Sequence, residues 1–133
     1  MDAKTSYEQN MEGYEYLEVD GTVINRTDWY MELVTVHMSW GKFDEGKSPV
    51  NVYAHGKMNF TARGRSGSIS GTEGYAKWRI VDHPSGKDIF VTINFDNPAV
   101  GKCMASITCK PDIIPCAVEG KSHNKFEPIY TVG

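Results

Sequence analysis

The stretch "RGRSGSISGTEG", residues 63–74, holds four glycines, three serines and two arginines. Glycine-rich loops with hydroxyls and cations can cradle phosphate through backbone N–H groups. A P-loop needs GxxxxGK[ST] between a strand and a helix whose N-terminus faces the anion. This stretch has no GK[ST], and the segment after it, "YAKWRIV", alternates with the period of a strand. A dinucleotide fingerprint fails for want of a βαβ unit. Nucleotide chemistry is therefore excluded, and the segment reads as a shaped surface loop between strands.

Other chemistry is equally sparse. The four histidines (37, 55, 83 and 123) are scattered without HExxH, and no GxSxG nucleophile elbow is present. His37 falls inside a strand run, where a hydrogen-bonded structural histidine is the expectation. Glycoside hydrolysis needs a spatial carboxylate pair, and nothing singles out two of the 17 acidic residues. Cysteines at 103, 109 and 116 fit no zinc spacing. Cys103 and Cys109 share a strand face too far apart to bridge each other. The three read as small buried hydrophobes, with one disulfide to Cys116 as the alternative. No catalytic residue, metal or cofactor is expected, and the protein is expected not to be an enzyme.

A binding surface remains. Trp29 and Tyr30 adjoin the "NRTD" turn, and Trp40 ends a strand at "SWGKF". Aromatic rings at turns and strand ends suit a membrane interface or a sugar face. Trp78, in mid-strand, reads as core.

The elements that must position these residues repeat with a period of two. "KMNFTA" aligns Met58, Phe60 and Ala62, and "YAKWRIV" aligns Ala76, Trp78 and Ile80. "DIFVTINF" aligns Ile89, Val91, Ile93 and Phe95, and "KCMASITC" aligns Cys103, Ala105, Ile107 and Cys109. "YEYLEV" and the β-branched run "MELVTVHMSW" complete the set. Such alternation marks half-buried strands. The breaks "NRTD", "HPSGKD" and "DNPAVG" carry turn residues. No sustained helical period appears. The fold class is all-β, an antiparallel β-sandwich. A chain of 133 residues is one domain, 1–133, large enough for a core without staples. Residues 1–13 read as a flexible arm, or a helical turn.

Charge narrows the partners. The net charge is −3, and six of the first twenty residues are acidic against one lysine. That argues against nucleic acid, which needs a concentrated positive field. The N-terminus lacks the basic and apolar regions of a classical secretory signal, and no stretch nears the roughly 20 apolar residues of a span. The expectation is a soluble protein, cytoplasmic in its producer until release, that acts peripherally on a target membrane outside the cell.

Three elements in order carry a family resemblance: Ser39-Trp40-Gly41-Lys42, then Gly64-Arg65-Ser66 through Gly71-Thr72-Glu73-Gly74, then Phe95-Asp96-Asn97-Pro98-Ala99-Val100-Gly101. Over residues 14–133 the chain resembles the aegerolysins, small acidic β-sandwich proteins. It departs from the family pattern at Arg63, where a cysteine is usual, and in the third element, where both tryptophans and the cysteine are replaced. The resemblance implies a membrane-lipid headgroup site lined by Trp40, the loop around Ser70, and Lys102. Arg63, Arg65, Trp29, Tyr30 and Phe95 join them as candidate lipid-contacting residues. "GTEG" followed by "FDNP" is similar to the small component of bacterial binary insecticidal toxins. That likeness implies a membrane-docking role beside a larger pore-forming partner, with self-association as a further option. The competing reading is a lectin-like carbohydrate-binding module without lytic activity.

Overall fold

The computed structural model describes residues 4–10, 17–64, 71–122 and 124–133. Ten strands form, in order β1 (Ser6–Gln9), β2 (Glu18–Asn25), β3 (Met31–Trp40), β4 (Lys42–Phe43), β5 (Lys57–Arg63), β6 (Thr72–Ile80), β7 (Ile89–Asn97), β8 (Cys103–Lys110), β9 (Cys116–Gly120) and β10 (Pro128–Val132). Two five-stranded sheets stack as a sandwich, ordered β1-β8-β7-β6-β3 and β4-β5-β2-β10-β9. The first sheet is antiparallel throughout. In the second, β10 runs parallel to β2 and antiparallel to β9.

The alternating rows predicted from sequence are the inner faces. Along β7, Ile89, Val91, Ile93 and Phe95 are buried, as are Ala76, Trp78 and Ile80 on β6. Cys103, Ala105, Ile107 and Cys109 form the β8 row. They meet Val19, Val23, Met58, Phe60, Ala62, Tyr130 and Val132 from the second sheet. Each large side chain so buried contributes roughly 1.5–3 kcal/mol. The Tyr130 hydroxyl crosses between sheets and donates to the Asn94 carbonyl at 2.6 Å, so its burial strands no polar group.

Both flanks of the sandwich are closed. On one, β1 pairs with β8, and Val118 N–H of β9 donates to the Lys4 carbonyl at 2.8 Å. Residues 6–9 are therefore a strand rather than the arm expected. Their inward positions carry Tyr7 and Gln9, so no apolar period announced them. On the other flank, segment 44–56 runs along the β3 edge. Met31 and Val52 exchange N–H···O bonds of 2.9 Å, Leu33 N–H donates to Asn51 Oδ1 at 2.7 Å, and Trp78 Nε1 donates to the Val50 carbonyl at 2.8 Å. Covering the edge in this way removes a template for strand addition. Register shifts between Leu33 and Thr35 and between Met38 and Trp40 bend β3. They leave Val34, His37 and Trp40 exposed. His37 thus lies outside the interior, its ring 5.4 Å from that of Tyr75.

Cys109 and Cys116 form a disulfide that ties β8 of one sheet to β9 of the other. This corrects the reading of all three cysteines as simple hydrophobes. Cys103 does fit it: buried and free, its thiol lies near Asn97 Oδ1 at 3.3 Å. Burial, then the nearby Asp96 carboxylate, pushes that thiol up to about 11.

Candidate functional site

The chain reverses at two poles of the sandwich. One gathers the end of β3 at Trp40, the start of β6 at Thr72, the end of β7 at Asn97, the start of β8 at Cys103, the end of β5 at Arg63 and the start of β2 at Glu18. The other gathers the start of β3, the turn between β6 and β7, and the turn before β5. The ten residues of β3 separate the two by about 30 Å at ~3.3 Å per residue.

At the first pole two glycines fix the turns. Gly41 follows Trp40 at φ 83°, and a Cβ there would collide with the Arg63 carbonyl oxygen. Gly71 closes the glycine-rich loop at φ 85°, where a Cβ would lie 2.8 Å from the Asn97 carbonyl. Only glycine adopts both the dihedral and the approach without strain. Thr72 Oγ1 donates to the Leu17 carbonyl, and Asn97 Nδ2 donates to the Glu18 carbonyl at 2.9 Å. These bonds lash the loops of both sheets into one surface.

Trp40 is 53% exposed on that surface. Val100, at the tip of the β7–β8 turn, is 92% exposed. Val100 was missed from sequence, because it sits inside a break rich in turn residues; an apolar residue between Pro98 and Gly101 was the available signal. Beside Trp40 the register sets Glu73 directly opposite, then Asp96, then Met104. Burial, then Glu73, raises the Asp96 carboxyl above its usual range.

Two cations at this pole, Arg63 and Lys102, are already partnered. Arg63 Nη2 lies 2.8 Å from Glu18 Oε1, and its Nε lies 2.9 Å from Asp44 Oδ2. Those carboxylates, Asp44 first, hold the guanidinium firmly charged. Arg63 therefore ties the ends of β5 and β2 to the segment after β4. Lys102 Nζ sits 3.5 Å from Glu8 Oε2 in an exposed pair. Glu18 also lies beside Asp20: a side-chain hydrogen bond to it, with burial and Asp20's charge, raises Glu18 from 4.5 to about 7 against the pull of Arg63 and Lys125.

The structure separates the expected site residues. Trp40, Arg63 and Lys102 meet at the first pole; Arg65 and Ser70 lie outside the described residues. Phe95 is corrected: it is 1% exposed, its ring centroid 5.2 Å from that of Phe60 and 6.1 Å from that of Phe43. Alternation along β7 places it in the core row, out of reach of any ligand. Trp29 and Tyr30 stand at the opposite pole. Trp29 packs partly on the core with its ring 4.6 Å from His83, and Tyr30 pairs with Tyr53 at 5.4 Å. Among the described residues no group of three His, Cys, Asp or Glu could hold a metal ion. No helix among them is long and apolar enough to cross a membrane.

No protein-family model matches the chain, and no curated protein matches it in sequence. Solved structures do. A crystal structure of RahU protein in complex with a TRIS molecule superposes with a TM-score of 0.67 at 18% identity, over 87% of this chain and 93% of that one. A crystal structure of the lipid binding protein Nakanori superposes with a TM-score of 0.61 at 10% identity, over 86% of this chain and 69% of that one. The chain has the all-β, aegerolysin-like sandwich fold that its motifs implied, shared with both of these proteins.

Proposed function

We propose that the protein is the membrane-docking component of a two-component pore-forming cytolysin, insecticidal in role, which binds a membrane lipid or surface receptor through the Trp40 pole and recruits a larger partner. The observation that carries this reading is the joint exposure of Trp40 and Val100 at one pole. Nakanori, a lipid binding protein, lends the fold a precedent for lipid.

The magnitudes define how such docking works. Half a tryptophan surface is about 100 Å², so burying it yields about 2.5 kcal/mol, and Val100 adds about 1.5 kcal/mol. The sum is millimolar affinity. Headgroup contacts must supply the rest, and avidity in an assembly must hold the protein at the surface. A zwitterionic headgroup suits the charges: its ammonium can face Glu73, Asp96 and the Trp40 ring, while its phosphate meets Lys102. A docked sandwich does not span the bilayer, so the partner supplies the closed barrel or helices that do.

Co-sedimentation with phosphatidylcholine vesicles and with insect gut membrane vesicles tests the reading. The protein sediments with at least one of them, and Trp40→Ala weakens that binding roughly 10- to 50-fold with its thermal unfolding unchanged. Binding to neither membrane while sugar conjugates are bound would establish the lectin-like module instead.

A further inference from the structure

The opposite pole carries a surface that the docking role leaves unused. Three segments build it: 25–30, 53–57 and 81–88. Their organiser is Asn25, fully buried, whose Nδ2 donates to the Trp29 carbonyl at 2.7 Å and the Tyr53 carbonyl at 3.1 Å. Its Oδ1 accepts from Thr27 N–H at 3.0 Å and from Thr27 Oγ1 at 2.6 Å. One side chain thus locks two loops together, and the rings they carry are held before any ligand arrives. Tyr53 is 75% exposed, with the Tyr30 ring tilted at 52° beside it. His55 Nε2 and Asp28 Oδ1, both exposed, lie 2.7 Å apart on the same two loops.

Backbone strain marks the same place. Among the described residues, the two non-glycine residues with positive φ are His55 at 59° and Asp82 at 62°. Both sit on turns of this pole, and left-handed backbone at non-glycine residues gathers where loops are shaped for function.

Charge selects the ligand class. The three segments hold Arg26, Lys57 and Lys87 against Asp28, Asp82 and Asp88, three of each sign, so these loops carry no net charge of their own to draw an anion or a cation. An exposed aromatic ring packs against the apolar C–H face of a sugar, and paired donor and acceptor groups meet its hydroxyls. We propose that this pole is a second binding site, for a neutral carbohydrate, built on Tyr53, Tyr30, Asp28 and His55 and independent of the Trp40 pole.

Biolayer interferometry against albumin conjugates of galactose, N-acetylgalactosamine, N-acetylglucosamine, mannose, glucose and fucose tests it, with a sialyllactose conjugate as the anionic comparison. The Tyr53→Ala variant is informative because only the Tyr53 carbonyl, not its ring, bonds to Asn25; Asp28→Asn perturbs the polar pair instead. The expected result is binding to at least one neutral conjugate, weakened about tenfold or more in Tyr53→Ala, weakened also in Asp28→Asn, and unchanged in Trp40→Ala. Binding to no neutral conjugate, a preference for the sialylated one, or equal binding by wild type and Tyr53→Ala overturns the proposal. Membrane vesicle binding, weakened in Trp40→Ala and kept in Tyr53→Ala, is scored separately, so the two poles fail or stand independently.

Discussion

At the scale of single residues, each pole is shaped by a residue that sets its loops, Gly71 at one and Asn25 at the other. Gly71 sets the exit of the glycine-rich loop at φ 85° against the Asn97 carbonyl. Replacing it with alanine forces an L-residue into left-handed backbone and a Cβ against that carbonyl. Gly71→Ala should cost about 1–3 kcal/mol, read as a lower midpoint in urea unfolding; an unchanged midpoint would mean the loop repositions freely. Asn25 is the counterpart at the other pole. Asn25→Ala leaves the buried Thr27 N–H without its acceptor and removes the bonds to the Trp29 and Tyr53 carbonyls, at roughly 1–3 kcal/mol. Amide hydrogen exchange should quicken first in segments 25–30 and 52–56. Arg63 teaches a different lesson at this scale. An arginine beside a glycine-rich loop reads as a headgroup ligand from sequence, yet spatial partners 45 and 19 positions away, Glu18 and Asp44, claim it. Nothing local in "RGRSG" reveals them.

At the scale of elements, the strands that sequence revealed are those with one apolar face. β5, β6, β7 and β8 alternate cleanly because their outer positions meet water. β1 was hidden because its inward residues, Tyr7 and Gln9, are polar, their side chains bonded to each other at 2.9 Å. β10, "PIYTV", pairs parallel to β2, a long-range contact with no local signature. The Cys109–Cys116 staple stood only as the alternative reading, with its partner undecided, since facing positions on different sheets cannot be read from spacing. Closing a short loop of separation 7, it should contribute about 2–3 kcal/mol, so the Cys109→Ser, Cys116→Ser double variant should unfold at correspondingly lower urea. Equal midpoints would mean the sheets need no tie. The paired carboxyls on β2 predict a pH dependence. Glu18 rises from 4.5 to about 7 in the folded protein, so between those values the folded state keeps a proton that the unfolded chain has released. Its contribution to stability is fully present below about pH 4.5 and is lost as pH rises through about 7. Glu18→Gln, which resembles the protonated form, should flatten that part of the melting-temperature profile; an unaltered slope would remove Glu18 as its source.

At the scale of the whole molecule, the fold was legible and the site only half so. Alternation and turn spacing were enough for a β-sandwich, and the ordered motifs around Trp40, Gly71 and Pro98 pointed to its aegerolysin-like form. They could not tell that Trp29 and Trp40, eleven residues apart in the chain, stand at opposite ends of one strand. A strand is straight, so residues near in sequence can be the most distant in space. On the proposed reading, that separation leaves one face for a membrane and another for a second ligand. Tryptophan fluorescence with phosphatidylcholine vesicles carrying bromine on their acyl chains measures it most directly. Bromolipid is expected to quench the wild-type emission, Trp40→Phe to abolish the quenching, and Trp29→Phe to leave it intact. Quenching that survives in Trp40→Phe, or disappears in Trp29→Phe, would contradict the assignment of the membrane to the Trp40 pole.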